Sequence, residues 1–143
     1  MSNHPLLQGA RGERHLLLGN EAIVRGALEA GVHMVSCYPG TPSSEVPDTF
    51  HRLGGEGRYR LEYSVNEKVA MEVAAGAALG GAMSLVTLKH VGVNVAADPL
   101  FTSVYTGLPG GLVLLPADDP GCHSRHNEQD KRTYARFALL PSF

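Results

Sequence analysis

The chain has 143 residues, a formal net charge of −2, and 43% hydrophobic against 18% charged residues, which suits a single globular domain with one core. There is no basic excess that would indicate a nucleic acid partner, and no block of like charge that would indicate a membrane surface. No apolar run is long enough to span a bilayer and the start lacks the pattern of an export signal, so we expect a cytoplasmic protein without a membrane partner. The two cysteines, Cys37 and Cys122, lie far apart and predict neither a zinc nor an iron–sulfur site.

Helices and strands are predicted to alternate along the chain. Asn20, Thr41 and Asn66 each precede a helical pattern and are predicted N-caps, with Pro42 at the first helical position after Thr41. Short runs rich in β-forming residues separate these helices. The predicted helices cover residues 21–30, 42–53, 67–79, 95–105 and 128–138, and the predicted strands cover residues 32–38, 60–65, 83–88 and 111–115.

This alternation predicts an α/β fold with an open, mainly parallel sheet and helices on both faces. We expect the domain to span residues 16–143, with residues 1–15 as an N-terminal extension. Functional groups of such sheets lie at the carboxyl ends of the strands. Three predicted loops qualify, at residues 38–41, 66–67 and 89–94.

Two of these loops carry candidate residues for binding or catalysis. Thr41 lies in a strand-to-helix segment that is either a simple turn with a cap or, with its hydroxyl and the helix N-terminus, a site for an anionic group. The segment lacks the glycine and lysine pattern of a phosphate-binding P-loop. Glu67 is either a helix-capping acid or, among apolar neighbours, a carboxyl group that shares a proton with a ligand nitrogen.

The remaining candidates are less specific. His90 follows the third predicted strand, where it either makes a local hydrogen bond or contacts a ligand. His123 and His126 are potential metal ligands whose spacing matches no metal motif, so no metal site is predicted. Residues 128–132 are charged and fit a solvated helix start. The small residues of the helix over 67–79 fit either a tightly packed core helix or a helix at an interface.

The order of six segments is more specific than any one of them. In this order they resemble the large subunit of the indolepyruvate ferredoxin oxidoreductases, which belong to the thiamine diphosphate-dependent 2-oxoacid:ferredoxin oxidoreductase family. The resemblance covers about residues 16–141. The segments are LLGNEA at 17–22, YPGTPSSE at 38–45, SVNEKVA at 64–70, KHVGVNVAADP at 89–99, DDPG at 118–121 and NEQD at 127–130.

The resemblance implies a thiamine diphosphate-binding fold of the pyrimidine type, and it assigns roles to several residues. It implies that Glu67 is the catalytic glutamate that contacts N1′ of the cofactor's aminopyrimidine and passes a proton there. Thr41 matches a threonine near the substrate carboxylate, and Arg132 is a second expected substrate-binding residue. The residues expected to contact the cofactor are Asn66, Glu67, Pro39, Gly40, His90 and Asn94.

The resemblance also implies a reaction and its partners. The complete enzyme would convert arylpyruvates such as indolepyruvate to aryl-acetyl-CoA, using coenzyme A and passing electrons through 4Fe–4S clusters to ferredoxin. Thiamine diphosphate would be shared with a pyrophosphate-binding domain that holds it through Mg²⁺, and a small subunit would complete the oligomer.

Subunits of the family are several times longer than this chain, so we expect a C-terminally truncated or separately encoded part that is inactive alone. Two alternatives remain open. One is a related thiamine enzyme, either an oxidoreductase for another 2-oxoacid or a decarboxylase. The other is a non-catalytic interaction module.

Overall fold

The computed structural model describes residues 4–9, 12–55, 57–118, 121 and 129–141. Four parallel strands form one sheet in the order β2-β1-β3-β4. Each loop between consecutive strands contains helix, so the predicted parallel α/β architecture is confirmed. The strands are β1 (Met34–Cys37), β2 (Arg60–Tyr63), β3 (Ser84–Lys89) and β4 (Leu112–Ala117).

Six α-helices and one 3₁₀ turn are present in the described ranges, and none of these helices is long and apolar enough to cross a membrane. The helix predicted over 95–105 is present at residues 97–106, and a separate four-residue helix precedes it at residues 92–95, where a loop was predicted. The last helix begins only at Arg132. The elements are the 3₁₀ turn Pro5–Leu7 and helices α1 (Gly19–Glu29), α2 (Glu45–Leu53), α3 (Glu67–Leu79), α4 (Gly92–Val95), α5 (Ala97–Thr106) and α6 (Arg132–Phe137).

The strands send alternate side chains into two separate cores, as the two-residue period of a strand requires. On β3, Leu85 joins the core beneath α1 and α2, which we call the first face. Val86 and Leu88 join the core beneath α3, α4 and α5, which we call the second face. Helices therefore cover both sides of the sheet, as predicted.

Helix α3 lies close to the sheet because four of its five buried side chains are alanines. Ala70, Ala74 and Ala78 are fully buried at four-residue intervals along one face of the helix. The hydroxyl of Ser36 on β1 donates a hydrogen bond of 2.5 Å directly to the carbonyl of Ala70. Gly110, just before β4, donates its backbone N–H to the carbonyl of Ala78 at 2.9 Å. These contacts support the interpretation of α3 as a tightly packed core helix.

The segment before residue 16 contributes to the first face. Leu6 is only 2% exposed and packs in the same core as Val24 of α1. The guanidinium of Arg25 donates hydrogen bonds to the carbonyls of Leu6 (3.0 Å) and Gln8 (2.8 Å). The predicted N-terminal extension thus supplies a core residue and is tied to α1.

The predicted N-cap role of Asn20 is wrong. Helix α1 begins at Gly19, and the N–H of its N-cap, Leu18, donates to the Glu21 carboxylate at 3.0 Å. The Asn20 side-chain amide instead donates to Glu45 Oε2 (2.7 Å) and to the carbonyl of Pro42 (3.4 Å). Asn20 therefore connects the start of α1 to the loop after β1.

The predicted cap at Thr41, with Pro42 opening the helix, is also wrong. Both the backbone N–H and the hydroxyl of Ser43 donate to the carbonyl of Gly40, at 2.8 and 2.7 Å. This arrangement makes a turn of residues 41–44, so α2 cannot begin until Glu45.

Candidate functional site

The carboxyl ends of the four strands lie level at one edge of the sheet. Cys37 at the end of β1 is paired with Tyr63 on β2 and Thr87 on β3, and Thr87 is paired with Leu115 on β4. The loops that follow these strands therefore leave the sheet side by side. This edge, which we call the strand-end site, holds the predicted loops at 38–41, 66–67 and 89–94.

Glu67 is the first residue of α3 and is partly buried. Asn66 is its N-cap, as predicted, because the Asn66 side-chain oxygen accepts a hydrogen bond of 2.9 Å from the N–H of Val69. Unpaired N–H groups and the helix dipole both favour an acidic side chain at this position. The side chain of Glu67 is therefore held where a buried helix meets the edge of the sheet.

The neighbour that encloses the Glu67 carboxyl is Gly92, the buried first residue of α4. A Cβ atom added at Gly92 would lie 2.5 Å from Glu67 Cγ and 2.8 Å from its Oε1. Any side chain at this position would displace the carboxyl group. The sequence analysis assigned no role to Gly92. The only available signal was a glycine that lies two residues after the polar pair Lys89-His90 at the end of a predicted strand.

Several apolar residues at the ends of β1 and β2 have exposed side chains. Val65, two residues before Glu67, is 80% exposed, and Tyr38 and Tyr63 also keep exposed rings. The sequence analysis expected apolar neighbours around Glu67, and of these Val65 and Tyr63 are exposed whereas Ala70 is fully buried. Exposed apolar side chains at this edge of the sheet suit contact with a flat heteroaromatic ring.

The loop after β1 packs against the end of β3. A Cβ atom added at Gly40 would lie 2.8 Å from Lys89 Cβ, so the loop backbone lies directly on this lysine. Thr41, next to Gly40, and Pro39 are exposed. Lys89 was not among the predicted site residues, yet the aliphatic part of its side chain contacts the loop that holds Thr41. A lysine at this position can assist the binding of an anionic group.

His90 is deeply buried, with 1% of its surface exposed. Its backbone N–H donates to the carbonyl of Ala117 at 3.2 Å, which joins the ends of β3 and β4. The predicted contact between His90 and a cofactor stays a prediction.

Asn94 is joined to the segment that leads into α6. Its side-chain oxygen accepts from Lys131 Nζ (2.6 Å) and from the Tyr134 hydroxyl (2.7 Å), and its amide donates to Gln129 Oε1 (3.0 Å). Lys131 also donates to Gln129 Oε1, and its ammonium lies 4.7 Å from the centre of the Tyr134 ring. A direct contact between Asn94 and a cofactor stays a prediction.

Arg132, the predicted substrate-binding arginine, has an exposed side chain paired with Asp130. Its Nη2 lies 2.7 Å from Asp130 Oδ2 and its Nε 2.9 Å from Asp130 Oδ1. These hydrogen bonds lower the pKa of Asp130 to about 2. A substrate carboxylate would have to compete with this ion pair, and the role of Arg132 stays a prediction.

Three residues named in the sequence analysis, Cys122, His123 and His126, lie outside the described residues. Within the described part of the chain there is no group of three or more histidine, cysteine or acidic side chains that could hold a metal ion.

A family model described as pyruvate flavodoxin/ferredoxin oxidoreductase, thiamine diphosphate-binding, matches residues 25–114. The match covers well over half of the chain and includes Thr41, Glu67 and Gly92.

Curated relatives agree with this match. Indolepyruvate oxidoreductase subunit IorA of Archaeoglobus fulgidus is 56% identical over 140 residues, which cover 95% of this chain and 22% of the relative. The subunit of the same name from Thermococcus kodakarensis is 53% identical over 130 residues, covering 91% of this chain and 20% of the relative. The 2-oxoglutarate synthase subunit KorA of A. fulgidus is 29% identical over 97 residues, which cover 68% of this chain and 28% of the relative. The chain thus spans about a fifth of the length of the two indolepyruvate relatives.

A solved structure shares the fold. It is the 2-oxoglutarate:ferredoxin oxidoreductase from Magnetococcus marinus with 2-oxoglutarate, coenzyme A and succinyl-CoA bound. The TM-score is 0.65 at 22% identity, over 73% of this chain and 18% of that chain.

Proposed function

Because the chain belongs to the thiamine diphosphate-binding family of pyruvate flavodoxin/ferredoxin oxidoreductases, we propose that it forms the pyrimidine-binding part of an oxidoreductase that decarboxylates arylpyruvates. The observation that carries the proposal is the Glu67 carboxyl, held at the start of α3 and enclosed by the backbone of Gly92. This carboxyl lies at the edge of the sheet where ligands of open α/β folds bind.

The relatives support an arylpyruvate as the substrate. Those named for indolepyruvate are 50–56% identical to this chain, whereas one named for 2-oxoglutarate is 29% identical. We therefore propose indolepyruvate or a similar arylpyruvate as the 2-oxoacid, coenzyme A as acyl acceptor and ferredoxin as electron acceptor. Thr41, with Lys89 beside its loop, would bind the substrate carboxylate together with Arg132.

The residues at the strand-end site fit the pyrimidine ring of thiamine diphosphate. The exposed apolar surface around Val65 and Tyr38 would contact the flat ring, and Pro39 and Gly40 would line its edge. When bound, the cofactor supplies the carbanion chemistry that decarboxylation of a 2-oxoacid requires.

The task of Glu67 is to hold a proton at N1′ of the ring and to orient the ring through this hydrogen bond. The α3 N-terminus and the Gly92 backbone fix the carboxyl in place before the ligand arrives. Asn66 and the loop that contains His90 and Asn94 would complete the cofactor side of the site.

The remaining parts of the reaction are proposed to come from elsewhere in the enzyme. A pyrophosphate-binding domain would hold the diphosphate through Mg²⁺, and 4Fe–4S clusters and a small subunit would carry electrons to ferredoxin. This division is supported by the relatives, of which this chain matches about a fifth.

The test compares three variants of the assembled enzyme in an assay of arylpyruvate-dependent electron-acceptor reduction. Glu67→Gln keeps the shape of the side chain but cannot hold the carboxyl proton, so turnover should fall by about 10²–10⁴-fold. Gly92→Ala should lower it by about tenfold to a hundredfold, because the added methyl group displaces the carboxyl.

Gly76→Ala is the matched control, because Gly76 lies on the same helix as Glu67 and a Cβ there meets nothing within 4 Å. This variant should keep full turnover and gain up to about 1 kcal/mol of stability. Near-normal turnover of the folded Glu67→Gln enzyme would remove the proposed role of this carboxyl.

A further inference from the structure

Lys131 is a buried cation whose role the proposed reaction does not explain. It is only 5% exposed, and lysine side chains are almost never fully buried unless their charge is satisfied. Its Nζ donates to the side-chain oxygens of Asn94 and Gln129 and lies over the ring of Tyr134. Burial lowers the pKa of Lys131, and the nearby carboxylate of Asp118 partly opposes this effect.

The backbone of Lys131 is fixed as firmly as its side chain. Its N–H donates to Asp118 Oδ2 at 2.6 Å, which joins the segment before α6 to the end of β4. The ammonium then reaches Asn94 on α4. Lys131 thus connects the end of an edge strand to the short helix at the strand-end site.

The hydrogen bonds of Asn94 make this connection specific. A side-chain amide oxygen has two acceptor positions, and on Asn94 both are taken, by Lys131 Nζ at 2.6 Å and by the Tyr134 hydroxyl at 2.7 Å. A four-residue helix has little stability of its own, so α4 depends on such contacts. Val93 anchors the other side of α4 in the core of the second face.

The first residue of α4 is Gly92, whose backbone bounds the Glu67 carboxyl. A rotation of α4 about Val93 would move Gly92 toward or away from Glu67. Lys131, which lies 64 residues after Glu67 in the sequence, is therefore connected through Asn94 to the helix whose first residue bounds the carboxyl.

We propose that Lys131 is a positioning residue, which holds Asn94 and α4 so that Gly92 keeps the Glu67 carboxyl in its working position. This inference rests on the proposed function of Glu67. Lys131 acts through the backbone of α4, so substrate affinity should depend on it far less than turnover does.

The experiment measures kcat and KM for the arylpyruvate in the assembled enzyme carrying Lys131→Met, alone and combined with Glu67→Gln. Alone, Lys131→Met should lower kcat by about tenfold or more and leave KM within about twofold. In the Glu67→Gln background it should change the residual kcat by less than about twofold, because no carboxyl proton remains to be positioned. Arg136→Met is the control, since Arg136 is an exposed basic residue of the same segment.

A second variant covers the case in which Lys131→Met fails to fold. Tyr134→Phe removes one hydrogen bond to Asn94 but keeps the ring beneath the ammonium. Tyr134→Phe should lower kcat by a smaller factor than Lys131→Met does, again only when Glu67 is present.

Three results would overturn the proposal. A rise in KM with constant kcat would mean that Lys131 binds the substrate itself. Equal losses with and without Glu67 would mean a general structural role, and full kcat in both Lys131→Met and Tyr134→Phe would mean no role in turnover. High turnover of Glu67→Gln alone would instead contradict the proposed function, so the two failures are distinguishable.

Discussion

The two faces of the sheet are packed by opposite means. On the first face, α1 and α2 are separated from the strands by large buried side chains such as Phe50 and Leu53. On the second face, α3 buries four alanines beside Met71, and the hydroxyl of Ser36 on β1 donates directly to the carbonyl of Ala70.

This difference explains where the candidate site is built. Where a helix backbone contacts a strand directly, no long side chain lies between them that could change rotamer, so the position of the helix on the sheet is closely fixed. Glu67 is the first residue of α3, so the direct contacts between this helix and the sheet also help to fix the position of its carboxyl group. The first face contributes mainly to the stability of the fold, and the second face mainly to the position of the Glu67 carboxyl.

Truncation of a large side chain on the first face should have the largest effect on stability. Phe50→Ala removes a fully buried ring and should lower the free energy of unfolding by about 3–5 kcal/mol, measured by urea denaturation of the chain. Tyr105→Ala, at an exposed ring, should change it by less than about 0.5 kcal/mol. A loss at Phe50 no greater than the loss at Tyr105 would contradict this account of the first face.

Enlargement of a small side chain on the second face should lower the free energy of unfolding by a smaller amount. Ala74→Leu places three extra carbon atoms between α3 and the sheet and should cost about 1–3 kcal/mol in the same assay. The same change at Ala22, which is exposed on α1, should be nearly neutral. The assembled enzyme carrying Ala74→Leu should also lose turnover. If Ala74→Leu were neutral, α3 would not be closely packed.

The smallest expected effect is on the pH dependence of stability, and it concerns Cys37, which is fully buried at the end of β1. Burial, reinforced by the charge of Asp48, raises the pKa of this thiol from 9.0 to about 12. The unfolded chain releases the thiol proton above pH 9 while the folded chain keeps it, so this group lowers stability as pH rises from 9 toward 12.

Urea denaturation at pH 8 and pH 10 measures this effect. The decrease in unfolding free energy between the two pH values should be smaller in Cys37→Ala than in the unaltered chain. An equal decrease in both proteins would show that the Cys37 thiol titrates normally in the folded state.

Sequence reasoning succeeded where the determinants are local. The alternation of helices and strands, the Asn66 cap and the position of Glu67 all depend on residues within a few positions of one another. Asn20 shows the limit of such reasoning. Asparagine is a common N-cap, but Glu21 satisfies the helix start, and the Asn20 amide reaches Glu45 instead.

The contacts that complete the candidate site join residues distant in sequence. Gly92 meets Glu67 only because β2 and β3 both flank β1, and neither periodicity nor propensity encodes that strand order. Lys131 reaches Asn94 across 37 residues, and a lysine in a charged stretch gives no sign that it will be buried. These features depend on the tertiary structure, which local pattern does not specify.

The hydrogen bonds of Arg25 limit where this protein can be shortened or tagged. Two of its guanidinium hydrogen bonds hold the carbonyls of Leu6 and Gln8, which seats the Leu6 side chain over α1. A version that starts at residue 16 would leave the guanidinium without these acceptors and open a hole beside Val24. Fusion partners are therefore best joined ahead of Leu6, where they leave the Arg25 hydrogen bonds and the packing of Leu6 intact.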